Sequence, residues 1–363
     1  MITTVGGGAF GVVSAVIPVV TSQDEGNKTS GGKPGSEARS TPPSGRGTSA
    51  TRPAPLPSPA KCGGAHHGWD EMGPIGTSPE FDAARMDVDF ADVNGDGFDD
   101  YLVVNRETGE VKAWKNLNAI NEKNQFRWEE PGKILTTGTD SLSAQNDIDF
   151  ADLDGDGLDD YLMVDRETGA AKGWKTSASK ERQIVEAGAL GRPTWTIEAR
   201  IPRATAGNTK VIFADIDGDG RDDHLTLDLD SGTVQAWFNR EGSDGDQPDW
   251  KSIGQFRPTG LNEKDVPTFA DADCDNRADY LVSSTVTKPL NVSLNGGIES
   301  NGQPRWGKEF EIANGGEFDP ETQRRDFADL NGDGRDEVLW VETKTGKVTP
   351  HINKGGDPAP LNS

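Results

Sequence analysis

Cysteine, histidine, methionine and tyrosine are scarce in this chain, and each scarcity removes a class of protein. Two cysteines, Cys62 and Cys274, cannot build a disulfide framework; they can form at most one bond, between the 23–60 segment's end and an acidic loop. Four histidines, of which His66 and His67 are adjacent and His224 and His351 lie far apart, supply no H-E-x-x-H zinc motif. There is no G-x-S-x-G elbow and no phosphate-cradling glycine loop, so the common hydrolase and nucleotide-binding signatures are missing. Positive charge is also in short supply, with 37 Lys and Arg against 61 Asp and Glu and a formal net charge of −24. Such a balance repels nucleic acid and anionic lipid. Long apolar runs are absent too: the longest, residues 6–20, covers 15 residues and is rich in glycine. That is short for a membrane helix, which needs about 20.

What the chain has in quantity is aspartate and glycine, arranged in one repeated string, D-x-[DN]-x-D-[GN]-x-x-[DE]. It occurs at Asp92–Asp100, Asp152–Asp160, Asp215–Asp223, Asp271–Asp279 and Asp329–Glu337, with steps of 60, 63, 56 and 58 residues. Self-similarity at that period marks stacked supersecondary units, none of which buries its apolar face alone. Around each string the pattern is that of β-structure. In the second copy Ile148 and Phe150 alternate with Asp147 and Asp149, as in a half-buried strand, and Tyr161 to Val164 form an apolar strand after the loop. Glu167-Thr168-Gly169 makes a turn with a glycine for positive φ, and Ala171 to Trp174 continue as a strand. About four short strands per unit of sixty residues predict an all-β fold, a β-propeller of about five four-stranded blades. Counted from a recurrent tryptophan (Trp69, Trp128, Trp195, Trp250, Trp306), the units span about 65–118, 124–178, 190–242, 246–297 and 302–355. This phasing offers no strand to latch the last blade to the first, so five units fit a closed ring or a partial ring completed by dimerisation.

The strings have the chemistry of a hard-cation loop. Ca²⁺ takes six to eight oxygens at roughly 2.3–2.6 Å, and side-chain oxygens at every second position wrap around one point. The first copy would use Asp92, Asn94, Asp96, the carbonyl of Phe98, and Asp100. The equivalent sets are Asp152, Asp154, Asp156, Leu158 and Asp160; Asp215, Asp217, Asp219, Arg221 and Asp223; Asp271, Asp273, Asp275, Arg277 and Asp279; and Asp329, Asn331, Asp333, Arg335 and Glu337. The fourth copy acts as a control, because it carries Asn276 at position six and Ala278 at position eight while keeping the acids at one, three, five and nine. Position eight is therefore not a ligand, and the fourth loop is expected to be the weakest. An EF-hand is excluded, since position twelve holds Val103, Met163, Thr226, Val282 and Trp340 instead of a bidentate Glu. The five loops hold 22 acids (4, 5, 5, 4 and 4) and three arginines, so they contribute −19 of the −24 net charge. Crowded carboxylates of that density call for a counter-ion.

The strings FADVNGDGFDDYL, which leads into VKAWKN, and FADLDGDGLDDYL resemble the FG-GAP/VCBS repeats of integrin-α-like propellers, in the form found in secreted fungal proteins, where such a string leads into a V-x-A-W-x-N strand. The resemblance covers about residues 65–355. It implies a calcium-binding propeller with one Ca²⁺ per loop, up to five in all, and it leaves the ligand open, because such repeats occur in adhesion proteins, lectins and appendages of hydrolases and lyases.

The ends and the surface complete the reading. Residues 1–22 fit a signal peptide or signal anchor, 23–60 a Ser/Thr/Pro/Gly-rich stalk that cannot form a core, 61–357 the propeller and 358–363 a tail. The expected location is secreted, or anchored with an extracellular propeller, in which case the membrane is met only through residues 6–20. Extracellular calcium is millimolar, enough to load modest sites. Asn27 and Asn291 head glycosylation sequons. Repeated tryptophans (Trp114, Trp174 and Trp237 in one position, the five above in another) fit packing between blades and also fit stacking on sugar rings. The expected partner is a glycan or an extracellular protein surface, engaged by a non-catalytic lectin- or adhesion-type module. An accessory domain or fragment of a secreted carbohydrate-active hydrolase or lyase is the alternative.

Overall fold

The chain's period of sixty residues is one sheet long, and the sheets are those of a propeller. The computed structural model describes residues 69–75, 81–129, 133–136, 146–176, 195–197, 209–241, 248–258, 261, 265–284, 290–312, 318–319 and 321–354. The expectations for residues 1–68 and 355–363, including Asn27, Cys62, His66 and His67, lie outside them. All the described residues belong to one unit, Pro53–Ser363.

A short strand β1 (Trp69–Glu71) precedes five sets. The first has β2 (Met86–Ala91), β3 (Asp100–Asn105), β4 (Val111–Trp114), a separate hairpin of β5 (Asn116–Ile120) and β6 (Phe126–Trp128), and β7 (Lys133–Thr136). The second has β8 (Asn146–Ala151), β9 (Asp160–Asp165), β10 (Ala171–Trp174) and β11 (Trp195–Ile197). The third has β12 (Thr209–Ala214), β13 (Asp223–Asp228), β14 (Val234–Glu241) and β15 (Pro248–Phe256). The fourth has β16 (Asp265–Ala270), β17 (Asp279–Ser284), β18 (Leu290–Ser293), a hairpin of β19 (Asn295–Ile298) and β20 (Pro304–Trp306), and β21 (Phe310–Ile312). The fifth has β22 (Gln323–Ala328), β23 (Glu337–Glu342) and β24 (Val348–Asn353). Each set forms a four-stranded antiparallel sheet, and the fifth takes β1 as its outer strand in the order β1-β24-β23-β22. No strand of another kind and no helix occurs among the described residues.

That last pairing corrects the phase read from the tryptophans. Trp69 faces Asn353 across β1 and β24, so the N-terminal strand latches the C-terminal blade and closes the ring. The other tryptophans also belong to the blade before the one assigned from sequence. Trp128 packs on Phe90 and Tyr101 of the first blade at 6.4 and 5.8 Å between ring centres. Trp195 pairs with Gly173 of the second. A repeat can be cut anywhere without changing its period, and only strand pairing fixes the cut.

Burial explains the two sequence patterns. The second strands read as continuous apolar runs, and β3, β13 and β23 are buried along five successive residues, because each blade is covered on both faces by its neighbours. Every one of the five junctions has its own apolar cluster. Examples are Leu102 and Val104 against Tyr161 and Trp174, and Leu330 and Leu339 against Val88 and Tyr101 across the closing junction. The other three hold Leu153 with Phe213, Leu225 with Tyr280, and Leu281 with Trp340. The turn after the second strand of the second blade behaves as expected: Gly169 lies at φ +68° and its amide donates to Asp165 O at 2.8 Å.

The acidic loops connect the first and second strand of each blade, and their ends are stitched to the next blade. The Asp92 amide donates to Asp159 Oδ2 (2.7 Å) while the Asp159 amide donates to Asp92 O (2.9 Å). The same reciprocal pair joins Asp152 to Asp222, Asp271 to Asp336 and Asp329 to Asp99. Position eight, set aside as a ligand, is thus the seam residue. At the ring's centre the five innermost strands, β2, β8, β12, β16 and β22, enclose a channel of about 530 Å³.

Candidate metal centre

The first Asp of each string organises its loop. Asp92 Oδ1 accepts from the Gly95 amide (2.7 Å) and Oδ2 from the Gly97 amide (2.7 Å), so consecutive N–H groups curl around one carboxylate. This requires left-handed backbone at positions four and six; Gly95 and Gly97 have φ of +74° and +82°. The fourth loop makes the same turn with Cys274 (φ +68°) and Asn276 (φ +59°), and Asp271 still gathers both amides, at 2.6 and 2.8 Å. Position four carries a second demand. A Cβ on Gly332 would lie 2.4 Å from the Phe98 ring of the neighbouring loop, so the position-seven side chain packs across the seam onto a glycine.

The last acid of each string is fully buried and ties the loop to the blade. Asp223 Oδ1 accepts from the Asn239 amide (2.7 Å) and Oδ2 from the Ile216 amide (3.1 Å), and Asp160 and Asp279 do the same in their blades. Burial pushes these acids up: Asp100 to about 8, Asp160 and Asp223 to about 9, and Asp279 and Glu337 well above the ordinary range. Position-one acids rise for the same reason, Asp92, Asp152 and Asp329 to about 6, Asp215 to about 7 and Asp271 to about 8.

Positions one, three and nine come together. One oxygen each from Asp152, Asp154 and Asp160 lies within 4.8 Å of the others, and so do oxygens from Asp215, Asp217 and Asp223, and from Asp271, Asp273 and Asp279. Oδ1 of Asp154, Asp217 and Asp273 is buried without a hydrogen-bond partner, and so is Oδ1 of Asp96 in the first loop. Buried carboxylate oxygens without protein donors are of the kind that could hold a cation. In the first and fifth loops position three is an amide, and it donates to position nine: Asn94 Nδ2 to Asp100 Oδ2 at 2.6 Å and Asn331 Nδ2 to Glu337 Oε1 at 2.7 Å.

Position five does not join the group. In the second to fifth loops its carboxylate accepts from the position-seven amide, as Asp219 does from Arg221 and Asp275 from Arg277, and in the first four loops an oxygen turns to a basic side chain. Lys115 Nζ lies 2.6 Å from Asp96, Lys175 Nζ 2.7 Å from Asp156 and also against Asp154, and Arg240 bridges Asp217 and Asp219. In the fourth loop Arg277 pairs with Asp275. These cationic side chains sit on Oδ2 of the carboxylates, which in Asp96, Asp154 and Asp217 leaves Oδ1 without a partner. No spacing rule pointed to Lys115, Lys175 and Arg240, because they come from the third strand's end and meet the loop only in three dimensions, whereas Arg277 is the fourth loop's own position seven. The side chains of Phe98, Leu158, Arg221, Arg277 and Arg335 mark position seven, where only the carbonyl is of use to a metal.

The family model of the FG-GAP-like repeat matches residues 92–163, a stretch that runs from the first loop through the second and into β9. Residues 92–163 form an FG-GAP-like repeat. No match was found among curated protein sequences. Solved structures with similar architecture include a lectin of Agrocybe aegerita that recognises non-reducing terminal N-acetylglucosamine, at 15% identity and TM-score 0.39 over 75% of this chain and 81% of that one. The Tc holotoxin pore of Photorhabdus luminescens is similar at 16% identity and TM-score 0.42 over 80% of this chain and 15% of that one. The exotype rhamnogalacturonan lyase YesX is similar at 15% identity and TM-score 0.29 over 81% and 60%.

The asparagine that ends the V-x-A-W-x-N strand of the FG-GAP-like repeat has a role that its recurrence alone did not reveal. Asn116 Nδ2 donates to Leu330 O of the preceding blade (2.9 Å) and to Asp99 O (3.1 Å). Asn239 and Asn295 reach Leu153 O and Ile216 O at 2.8 Å, and Asn353 reaches Ala272 O at 3.1 Å. The second blade has Thr176 there, which keeps only the amide bond to Asp160. Trp114, Trp174, His224 and His351 resolve as packing. Trp114 and Trp174 are buried, His224 replaces the tyrosine of other blades and meets Gly169 O at 3.2 Å as Tyr161 meets Gly109 O at 3.0 Å, and His351 stacks on Trp340 at 3.9 Å. Cys274 is disulfide-bonded, while Cys62 lies outside the described residues. Asn291 is half-buried in β18 with Ser293 buried beside it.

Proposed function

We propose that this chain is a calcium-loaded propeller that acts outside the cell as a non-catalytic binding module for a glycan or a protein surface. The observation that supports it is the employment of the acids. Loop carboxylates organise the turns, converge at positions one, three and nine or stitch the seams, so the ring's dominant chemistry is committed to holding its own shape. Calcium suits the donor set, which is all oxygen, with three carboxylates and spare lone pairs. The 25 positions named from sequence would hold up to five ions, with position-five carboxylates swinging from their lysine or arginine partners to the metal. Binding to a rigid ring then relies on side chains that project from it, such as Leu117 and Ile120 of the β5–β6 hairpin, which are 38% and 54% exposed.

A hydrolytic reading has one observation in its favour. Asp89, Asp149 and Asp326 stand on the innermost strands of three blades and face the channel, and burial raises all three above the ordinary range, Asp149 to about 6, with repulsion from Asp149 and Asp326 adding to it at Asp89. Carboxyls held apart in protonation are what glycoside cleavage uses. Asp326 is engaged by Arg324 at 2.7 Å. A glycan array probed with the full chain in calcium and after calcium removal, beside turnover assays on the same glycans, separates the readings. Calcium-dependent binding without turnover supports the module; turnover lost in Asp149→Asn would replace it with a hydrolase.

A further inference from the structure

Four of the five seams close with a carboxyl group, and one does not. At the junction of the third and fourth blades position eight is Ala278, and the Asp215 amide, the donor that would meet that carboxyl, has no acceptor among the described residues. The seam around it is otherwise intact. The Ala278 amide donates to Asp215 O at 2.7 Å, as its counterparts do at 2.8–2.9 Å, and Asn295 still reaches Ile216 O. A cavity of about 290 Å³ opens at this point, with Asp215, Asp222, Asp271, Asp336, Ala278 and Arg277 in its wall.

We propose that this notch binds a carboxyl group supplied from outside the chain, with the Asp215 amide as its donor. The other seams are the template. In each of them a carboxylate oxygen sits 2.6–2.8 Å from the equivalent amide, with neighbouring acids on both sides, so surroundings of this kind already accept a carboxyl group four times in the same molecule. An amide that meets no acceptor among the described residues is free to donate to an incoming carboxyl oxygen. Arg277, paired with Asp275, adds a cationic wall, as Arg221 does where it crosses to Leu153 O at the seam of the second and third blades. The cavity is larger than a carboxymethyl group, so it admits the acid end of a bigger molecule, a sugar acid as well as a simple organic acid.

The test uses the full chain saturated with calcium, at constant ionic strength, with acetate as the probe and chloride as the control. Saturation transfer from protein to the acetate methyl group is expected in the wild type and in Ala278→Ser, and is expected to vanish in Ala278→Asp, whose own carboxyl fills the notch. Ala278→Asp should also raise the unfolding midpoint by about 2 °C or more. If that variant does not fold, Ala278→Leu, which plugs the notch by bulk, takes its place. Competition by glucuronate but not by glucose would identify a sugar acid as ligand; failure of glucuronate to compete would restrict the site to small acids. No transfer in the wild type, or equal transfer in the filled and open variants, overturns the proposal.

Discussion

At the residue scale the loops contain a competition. Lys175 lies against Asp154 and Asp156, which are ligand candidates, with the lysine side chain 41% exposed. A half-exposed pair of this kind is worth about 0.5–1 kcal/mol. Lys175→Met should therefore tighten calcium binding at the second loop by about two- to fivefold and lower the midpoint of the calcium-free protein, both read by calorimetry. Unchanged affinity would show that the ammonium does not share the metal's position. The seam asparagines give a second prediction. Asn239→Ala removes two donors from buried carbonyls and is expected to cost about 2–3 kcal/mol in urea unfolding. Thr176→Asn supplies the missing amide in the second blade and should add about 1 kcal/mol. The ligand spacing was legible from the string because it repeats in chain order. The basic partners were not, since Lys175 is 15 residues beyond the loop's last acid and reaches it only because β9 and β10 pair.

At the element scale the latch decides integrity. Strand β1 has three residues, yet it supplies the outer edge of the fifth blade, and Trp69 packs on the cluster between the fourth and fifth blades. Trp69→Ala should cost about 2–3 kcal/mol, less than a fully buried tryptophan because the side chain is half-exposed. The same measurement on Trp128→Ala, in the β5–β6 hairpin, tests whether the loss is specific to closure: the two variants should lose similar free energy, but only Trp69→Ala should raise protease cleavage in β24. The strand content of each blade was readable from alternation and from the turn glycines. The blade boundaries were not, because the tryptophan follows the loop of its own blade in the third strand after it (β11, β15) or, where the hairpins intervene, in the fourth (β6, β20).

At the scale of the whole molecule, the acids make stability depend on cation and pH together. In the cation-free protein the loop acids have folded-state values raised by burial, Asp92 to about 6 and Asp160 and Asp223 to about 9, against about 3.9 in the unfolded chain. A raised value means that the folded state holds protons the unfolded state has released. Stability from these groups is complete below about pH 4 and is lost as pH rises toward 9. The midpoint of metal-free protein prepared by dialysis should fall steadily between pH 5 and pH 8.5. Millimolar calcium should raise the midpoint at every pH and most at the alkaline end, since the ion takes the place of the protons. A metal-free midpoint that is flat over this range would mean that the loops hold solvent-screened, ionised acids.

Local pattern carries the period, the all-β character, the number of blades and the spacing of the candidate ligands, because each of these depends on residues near one another in the chain. Tertiary structure decided where a blade begins, that β1 closes the ring, that position eight and the terminal asparagine stitch neighbouring blades, and that one seam has a gap at Ala278. Those features join residues 50 to 280 positions apart, and no local pattern encodes which strand will be a neighbour until every sheet has found one.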